Sequence, residues 1–299
     1  MKTLKYLSLA AVAAIVVVAM AACNQKKTHH DDEDDEDETE LTEDDEDESD
    51  EFRVKTVKFE KSGEHAEVGF EFDYPAGNSV VADSVRAFIL RIDSYTDNVE
   101  GSRYTGSIKN GAEFIKYYGN KAYETLSDSH ESDLAMVNED LEEGQDSIYF
   151  AAYGENRDYK LEYDAPRFVT YIVNGYDYMG GAHGMPYSYG ATFSKADGKR
   201  LGNPLKNTES PEFHKLLIEG VTTYFSENGE TGDLRECLLV DPDELGVPGN
   251  EPYLTKGGVC FIYGAYEIAP YVYGMPDFTI PYDKIKPFLT SEAKRLIED

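Results

Sequence analysis

The chain has 299 residues, 59 of them Asp or Glu against 28 Lys or Arg, for a formal net charge of −31. Phosphate backbones and anionic membrane faces require clustered Lys and Arg, and none occurs here, so nucleic acid is excluded as a partner. The 23 tyrosines and no tryptophan supply amphipathic rings suited to a core or to a sugar-binding surface.

Lys2 and Lys5 precede an apolar run from Leu9 to Ala22, too short for a comfortable bilayer span. This reads as an export signal over residues 1–22, ending in "MAAC". Small residues at Ala21 and Ala22 leave room for a peptidase, and Cys23 offers a thiol for lipid attachment. The pattern resembles a bacterial lipoprotein signal, with Met20 where leucine is usual. Several acyl chains on Cys23 would anchor the mature protein to a membrane. Asn24 after the cysteine resembles outer-membrane routing, so a cell-envelope position facing the periplasm or the exterior is expected.

Residues 23–51 are expected to form a tether. From Asp31 to Glu51, 17 of 21 residues are acidic, and such a run repels itself and buries no apolar surface. An acidic stretch close to the lipidated cysteine also resembles surface-export signals of some Gram-negative bacteria. His29 and His30 beside these acids lack the fixed geometry of a metal site. With the 17 acids and the four lysines of residues 1–30 removed, 42 acidic residues face 24 basic ones over 52–299, about −18. A basic partner suits that surface.

"HAEVGFEFDY" alternates apolar and acidic positions, predicting a half-buried strand paired with "FRVKTVKFE" through a turn at Ser62-Gly63. Val81, Val85, Phe88, Ile89 and Ile92 recur at helical spacing, and a second helix runs through Phe114, Tyr117, Tyr118 and Leu126. Strands are expected at "SIYFAAYG", "RDYKLEYDA" and "RFVTYIVNGYDY", and "YSYGATFSKADGKRL" reads as strand, turn, strand. Ser210 and Pro211 mark the start of a helix whose stripe is Phe213, Leu216, Leu217, Val221 and Tyr224. "GVCFIYGAYEIAPY" and "DFTIPY" are strand-like, and short helices close the chain. The fold class is α+β, two joined lobes of largely antiparallel sheet packed with helices, divided as 52–190 and 191–299.

"YMGGAHGMPYSYG", Tyr178 to Gly190, sets one histidine among glycines and tyrosines. Gly180, Gly181 and Gly184 permit backbone angles that other residues resist, which suits a tight crossover between strands. His183 there reads first as a structural pin whose loss would cost about 1–3 kcal/mol. It reads second as part of a ligand surface with Tyr178, Tyr187 and Tyr189, and third as a catalyst. No G-x-S-x-G, H-E-x-x-H, C-x-x-C or phosphate-loop pattern occurs, and the six histidines show no helical metal spacing. Neither a metal nor another cofactor is expected. Cys237 and Cys260 would close a loop worth about 3 kcal/mol if bridged, yet Cys260 in an apolar strand packs equally well as a free thiol.

"GYDYMGGAHG", "KADGKRL" and "CFIYGAYEIAPYVYGMPDFTIPYDKIKPFL" together resemble the ectodomain of RsiV-type proteins. In those, a domain shared with the N-terminal part of PdaC-type peptidoglycan deacetylases precedes a smaller RsiV-like domain. The resemblance spans 52–299 and implies a PdaC-like domain at 52–190 and an RsiV-like domain at 191–299. It also implies a lysozyme-binding surface. It does not carry over sigma-factor control, because a lipoprotein without a retained transmembrane helix cannot hold a sigma factor. Nor does it carry over deacetylation, since the H-x-x-x-H metal spacing is absent. The expected function is a non-catalytic envelope binding module for a muramidase-like protein or a peptidoglycan-type glycan. The alternative is a glycan-acting enzyme or accessory subunit using His183 and nearby tyrosines.

Overall fold

The computed structural model describes residues 51–91, 104–139, 141 and 145–298. The export signal, Cys23, His29, His30 and the acidic run before Glu51 lie outside the described residues.

Two alternating segments open the fold. β1 (Arg53–Ser62) and β2 (Ala66–Ala76) form an antiparallel ladder from Arg53↔Ala76 to Ser62↔Glu67. Their inward set, Val57, Phe59, Val68, Phe70, Phe72 and Tyr74, is buried against two helices. The chain enters α1 (Val80–Ile89) at Ser79, whose hydroxyl accepts from the Ala82 amide at 3.3 Å. Arg86 of this helix is only 1% exposed. Its guanidinium donates to the carbonyls of Pro75 and Gly77 at 2.8 and 2.9 Å and to Asp83 at 2.8 Å, so the buried charge is paired and ties the helix to the end of β2.

α2 (Gly111–Glu139) is far longer than its apolar spacing foretells. It lies close on the sheet because Gly111 meets the Tyr74 ring and Gly119 the Phe59 ring, where any side chain would collide. β3 (Tyr153–Asp164) then pairs parallel to β2, and the two helices lie in this crossover, as a parallel connection requires. β4 (Phe168–Tyr178) and β5 (Met185–Ser194) follow antiparallel, giving a five-stranded sheet in chain order with both helices on one face.

The opposite face of this sheet is divided. Over β4 and β5 it carries a smaller sheet of β6 (Tyr253–Leu254), β7 (Gly258–Ile262) and β8 (Asp277–Pro281). The Tyr253 ring seats on Gly190, and the Thr170 hydroxyl contacts that of Thr192 at 2.9 Å and the Leu254 carbonyl at 2.7 Å. The Leu254 amide donates to Thr192 at 3.1 Å, so these buried polar groups satisfy one another. A second core gathers around α3 (Pro211–Glu227), through Phe213, Leu217, Val221 and Phe225, with α4 (Leu234–Cys237), α5 (Tyr282–Ile285) and α6 (Ser291–Ile297) at its rim. Ser210 caps α3 by accepting from Phe213 at 3.2 Å. The α+β class, mostly antiparallel, follows from the two sheets and, among the described residues, six helices.

Three expectations need correction. The runs "SIYFAAYG" and "RDYKLEYDA" contribute to one strand, β3, and residues 147–152 are not extended into the sheet. Asn138 holds Ile148 instead, accepting from its amide at 2.8 Å and donating to its carbonyl at 3.0 Å. The strand expected after the Ala-Asp-Gly turn shrinks to a single bridge, Phe193↔Arg200. "GAYEIAPY" leaves the sheet after Ile262, because Gly264 opens a turn that the Glu267 carboxylate closes at 2.6 Å on the Gly264 amide. No helix among the described residues is long and apolar enough to cross a membrane.

Candidate functional site: an aromatic ledge between the two sheets

The β4–β5 hairpin turns over residues 179–184, and Gly180 and Gly181 take φ of 85° and 87°, which only glycine adopts without strain. The Gly184 amide donates to the Tyr176 hydroxyl at 2.8 Å, and a side chain at Gly184 would run into that ring and the Asp177 carbonyl. The tip is thus fixed from within.

His183 stands exposed on this tip. Its Nδ1 lies 2.9 Å from the Gly184 carbonyl, an acceptor only, so Nδ1 carries the proton and donates. Nε2 is then the acceptor, facing the Tyr266 hydroxyl at 3.3 Å. The imidazole stacks on Tyr271, ring centroids 3.9 Å apart and 17° from parallel. Tyr271 donates its hydroxyl to the Gly184 carbonyl at 3.0 Å, and the Tyr266 and Tyr271 rings lie 5.6 Å apart. Burial raises the Tyr271 pKa, with Tyr176 and Tyr266 adding to the shift.

The loop of the smaller sheet that supplies these tyrosines is stiff. Glu267 accepts from the amides of Gly264 at 2.6 Å and Gly249 at 2.7 Å, and the Tyr224 hydroxyl donates to Tyr273 at 2.6 Å. Tyr266 has φ of 64°, a left-handed conformation costing a non-glycine residue about 1–2 kcal/mol. Tyr266 is 45% exposed, and Val272, which follows Tyr271 in the same loop, is 83% exposed. Backbone strain thus holds an exposed aromatic ring beside a histidine from the other half of the fold.

Of the four residues that the sequence groups as a ligand surface, His183 is the one that forms part of this ledge, and Tyr178 braces the hairpin turn beside it. Tyr178 donates to Gly181 at 3.1 Å and His183 forms the stack. Tyr187 and Tyr189 point to the helix-bearing face. The Tyr187 ring covers Gly175, with burial raising its pKa, and Tyr189 packs edge-on to Phe88 at 6.3 Å. Sequence reasoning missed Tyr176, Tyr266 and Tyr271. The glycines and prolines around the last two, Gly264, Pro270 and Gly274, were the available signal that "GAYEIAPYVYG" is a turn rather than a strand.

Among the described residues His183 touches no carboxylate, and both its nitrogens are engaged by Gly184 and Tyr266. Among the described residues no group of three His, Cys, Asp or Glu could hold a metal ion. The bridge between Cys237 and Cys260 does not form: both are free and buried, Cys237 in the α3 core and Cys260 in a separate cluster with Tyr253, Ile262 and Met275. Burial pushes the Cys260 thiol up to about 12.

Residues 223–283 match the family described as "Protein of unknown function (DUF3298)". This segment is similar to a DUF3298 domain. It holds Tyr266 and Tyr271, whereas the His183 hairpin lies before it. In fold the chain is similar to a DUF3298 family member from Bacteroides fragilis NCTC 9343, at TM-score 0.61 and 17% identity over 83% of this chain and 98% of that one. It is also similar to a DUF3298 family protein from Pseudomonas aeruginosa PAO1, at TM-score 0.53 and 17% identity over 82% and 97%. At such identity the likeness concerns the fold. The curated proteins contain no match.

Proposed function

We propose that this protein is a lipid-anchored, non-catalytic binding module of the cell envelope, and that the ledge of His183, Tyr266 and Tyr271 recognises a peptidoglycan-type glycan. The observation that carries this reading is the exposed Tyr266 ring, held in a left-handed backbone beside a His183–Tyr271 stack. Flat exposed rings bury the apolar faces of sugars, and fixing them in advance lowers the ordering cost of binding. Occupation of both His183 nitrogens favours binding over acid-base catalysis. The resemblance to RsiV-type ectodomains and the "MAAC" signal ending at Cys23 agree with an envelope role.

A second reading, a basic muramidase-like protein as ligand, is favoured by the charge of about −18 over residues 52–299. Titrating the full chain in detergent with soluble peptidoglycan fragments and with lysozyme separates the two. Glycan binding that survives high salt and falls at least tenfold in Tyr266→Ala supports the first reading. Saturable binding of lysozyme alone, with an unrelated basic protein failing to bind, supports the second.

A further inference from the structure

The ledge does not stand alone. On the smaller-sheet side of the large sheet, β5 and the first part of β4, around Thr170 and Ile172, are covered, while β1 to β3 and the later part of β4 present a polar face that solvent partly reaches. Strand register places the residues of this face in rows. Gly69, Asn156 and Tyr176 lie side by side across β2, β3 and β4, and Glu71, Asp158 and Asn174 form the next row. The Tyr176 hydroxyl is part of the ledge, accepting from Gly184 and contacting Tyr271. Asn156 therefore abuts the aromatic wall, and Asp158 and Asn174 lie one row further along.

These three side chains have hydrogen-bonding capacity to spare. Among the described residues, the Asn156 amide and the Asp158 carboxyl have no side-chain hydrogen bond, whereas their neighbours Thr56, Glu71 and Asp73 are bonded or ion-paired. Asn174 uses its oxygen to accept from Ser188 at 2.7 Å, and among the described residues its side-chain N–H groups make no hydrogen bond. All three are half-buried, so water reaches them only in part. Burial raises the Asp158 pKa, the Glu71 and Asp73 charges adding to it while Lys160 opposes, as expected of a carboxyl short of hydrogen-bond donors. Half-buried polar groups usually have partners, and three adjacent ones with spare capacity beside an aromatic wall mark a surface made for a polar ligand.

We propose that Asn156, Asp158 and Asn174 form the polar floor of a saccharide site whose wall is the Tyr176–Tyr271–His183 ledge, and that its ligand is a neutral oligosaccharide carrying amide substituents. The proposal rests on the glycan reading above and deepens it. Side-chain amides offer a donor and an acceptor in one plane, the complement of an acetamido group, and a carboxyl accepts from a sugar hydroxyl. Glu71 is neutralised by Lys58 and Lys160, which leaves Asp158 as the carboxyl that the floor offers to a ligand hydroxyl.

The test uses the full chain in detergent, titrated calorimetrically with a hexamer of N-acetylglucosamine and with cellohexaose. The acetylated hexamer is expected to bind more tightly, and Asn156→Ala and Asp158→Ala are each expected to weaken it about tenfold, the effect of one lost hydrogen bond. Among the described residues neither side chain makes an intramolecular hydrogen bond, so Asn156→Ala should match the wild-type melting temperature, and Asp158→Ala, relieved of a carboxylate that burial disfavours, should melt no lower than wild type. If Tyr271→Ala abolishes binding while both floor variants bind normally, the floor is overturned and the ledge reading survives. Equal affinity for the two oligomers overturns the amide assignment. No binding of either oligomer by the wild type overturns both the floor and the glycan reading.

Discussion

His183 and Tyr271 lie ring on ring at 3.9 Å, one on a hairpin of the large sheet and the other in the loop that joins β7 to β8 of the small one. The contact links the two halves of the fold at the surface. Because His183 is exposed, solvent can replace its hydrogen bonds, so the 1–3 kcal/mol expected of a buried pin is too large. His183→Ala is expected to cost about 0.5–1.5 kcal/mol, the worth of an aromatic pair. Denaturant titration checks this, and a loss above about 3 kcal/mol would mean the imidazole carries more of the fold than its stack.

The left-handed backbone at Tyr266 gives a separate stability prediction. Tyr266→Gly and Tyr266→Ala both remove the ring, but only glycine takes φ of 64° without strain. The glycine variant should be about 1 kcal/mol more stable than the alanine variant, the reverse of the usual order. Equal stabilities would show that the loop relaxes and the ring is not held by strain.

Asp158 and Glu71, neighbours across β2 and β3, should respond to pH in opposite senses. The raised pKa of Asp158 means that its contribution to stability is present below the unfolded value of about 4 and is lost as pH rises through the folded value. Asp158→Asn should therefore gain in melting temperature relative to wild type between pH 3 and pH 7. Glu71 is partly buried, which raises its pKa, but the Lys160 and Lys58 ammonium groups outweigh that and lower it. Its contribution is present above the unfolded value and lost as pH falls, so Glu71→Gln should lose ground over the same interval. Shifts of the same sign for the two variants would refute the opposed environments.

Both core cysteines should resist reagents in the folded protein. Cys237 and Cys260 are buried, and the Cys260 thiol is pushed up to about 12, so little thiolate forms at neutral pH. Alkylation without reduction, followed by mass spectrometry, should label neither in the native state and both in denaturant. Protection that persists in denaturant and yields to reductant would indicate a disulfide.

The two periodicities of the chain made much of this fold readable. The alternation from Ala66 to Tyr74 and the spacing from Phe213 to Val221 each reflect one buried face, and a buried face leaves its period in the sequence. The length of α2 was not readable, because past Leu126 the helix is largely polar and leaves little apolar stripe. The parallel pairing of β2 with β3 depends on a crossover whose geometry no local pattern records. The site was half legible. Glycines at 180, 181 and 184 exposed the hairpin and its histidine. Tyr266 and Tyr271 join His183 only through tertiary contact, and in a chain with 23 tyrosines no single one stands out. Tyr187 and Tyr189 were misgrouped with Tyr178 because nearness in sequence does not fix the face of a strand.

The central claim is that the ledge binds a neutral glycan through preformed rings. The most direct measurement is calorimetric titration of the full chain with the N-acetylglucosamine hexamer, at low and high salt, for wild type, Tyr266→Ala and Tyr271→Ala. Stacking on uncharged sugar is insensitive to ionic screening, so the wild-type affinity should hold across salt and fall at least tenfold in each variant whose melting temperature stays near wild type. Affinity that vanishes at high salt, or that both variants retain in full, would contradict the account.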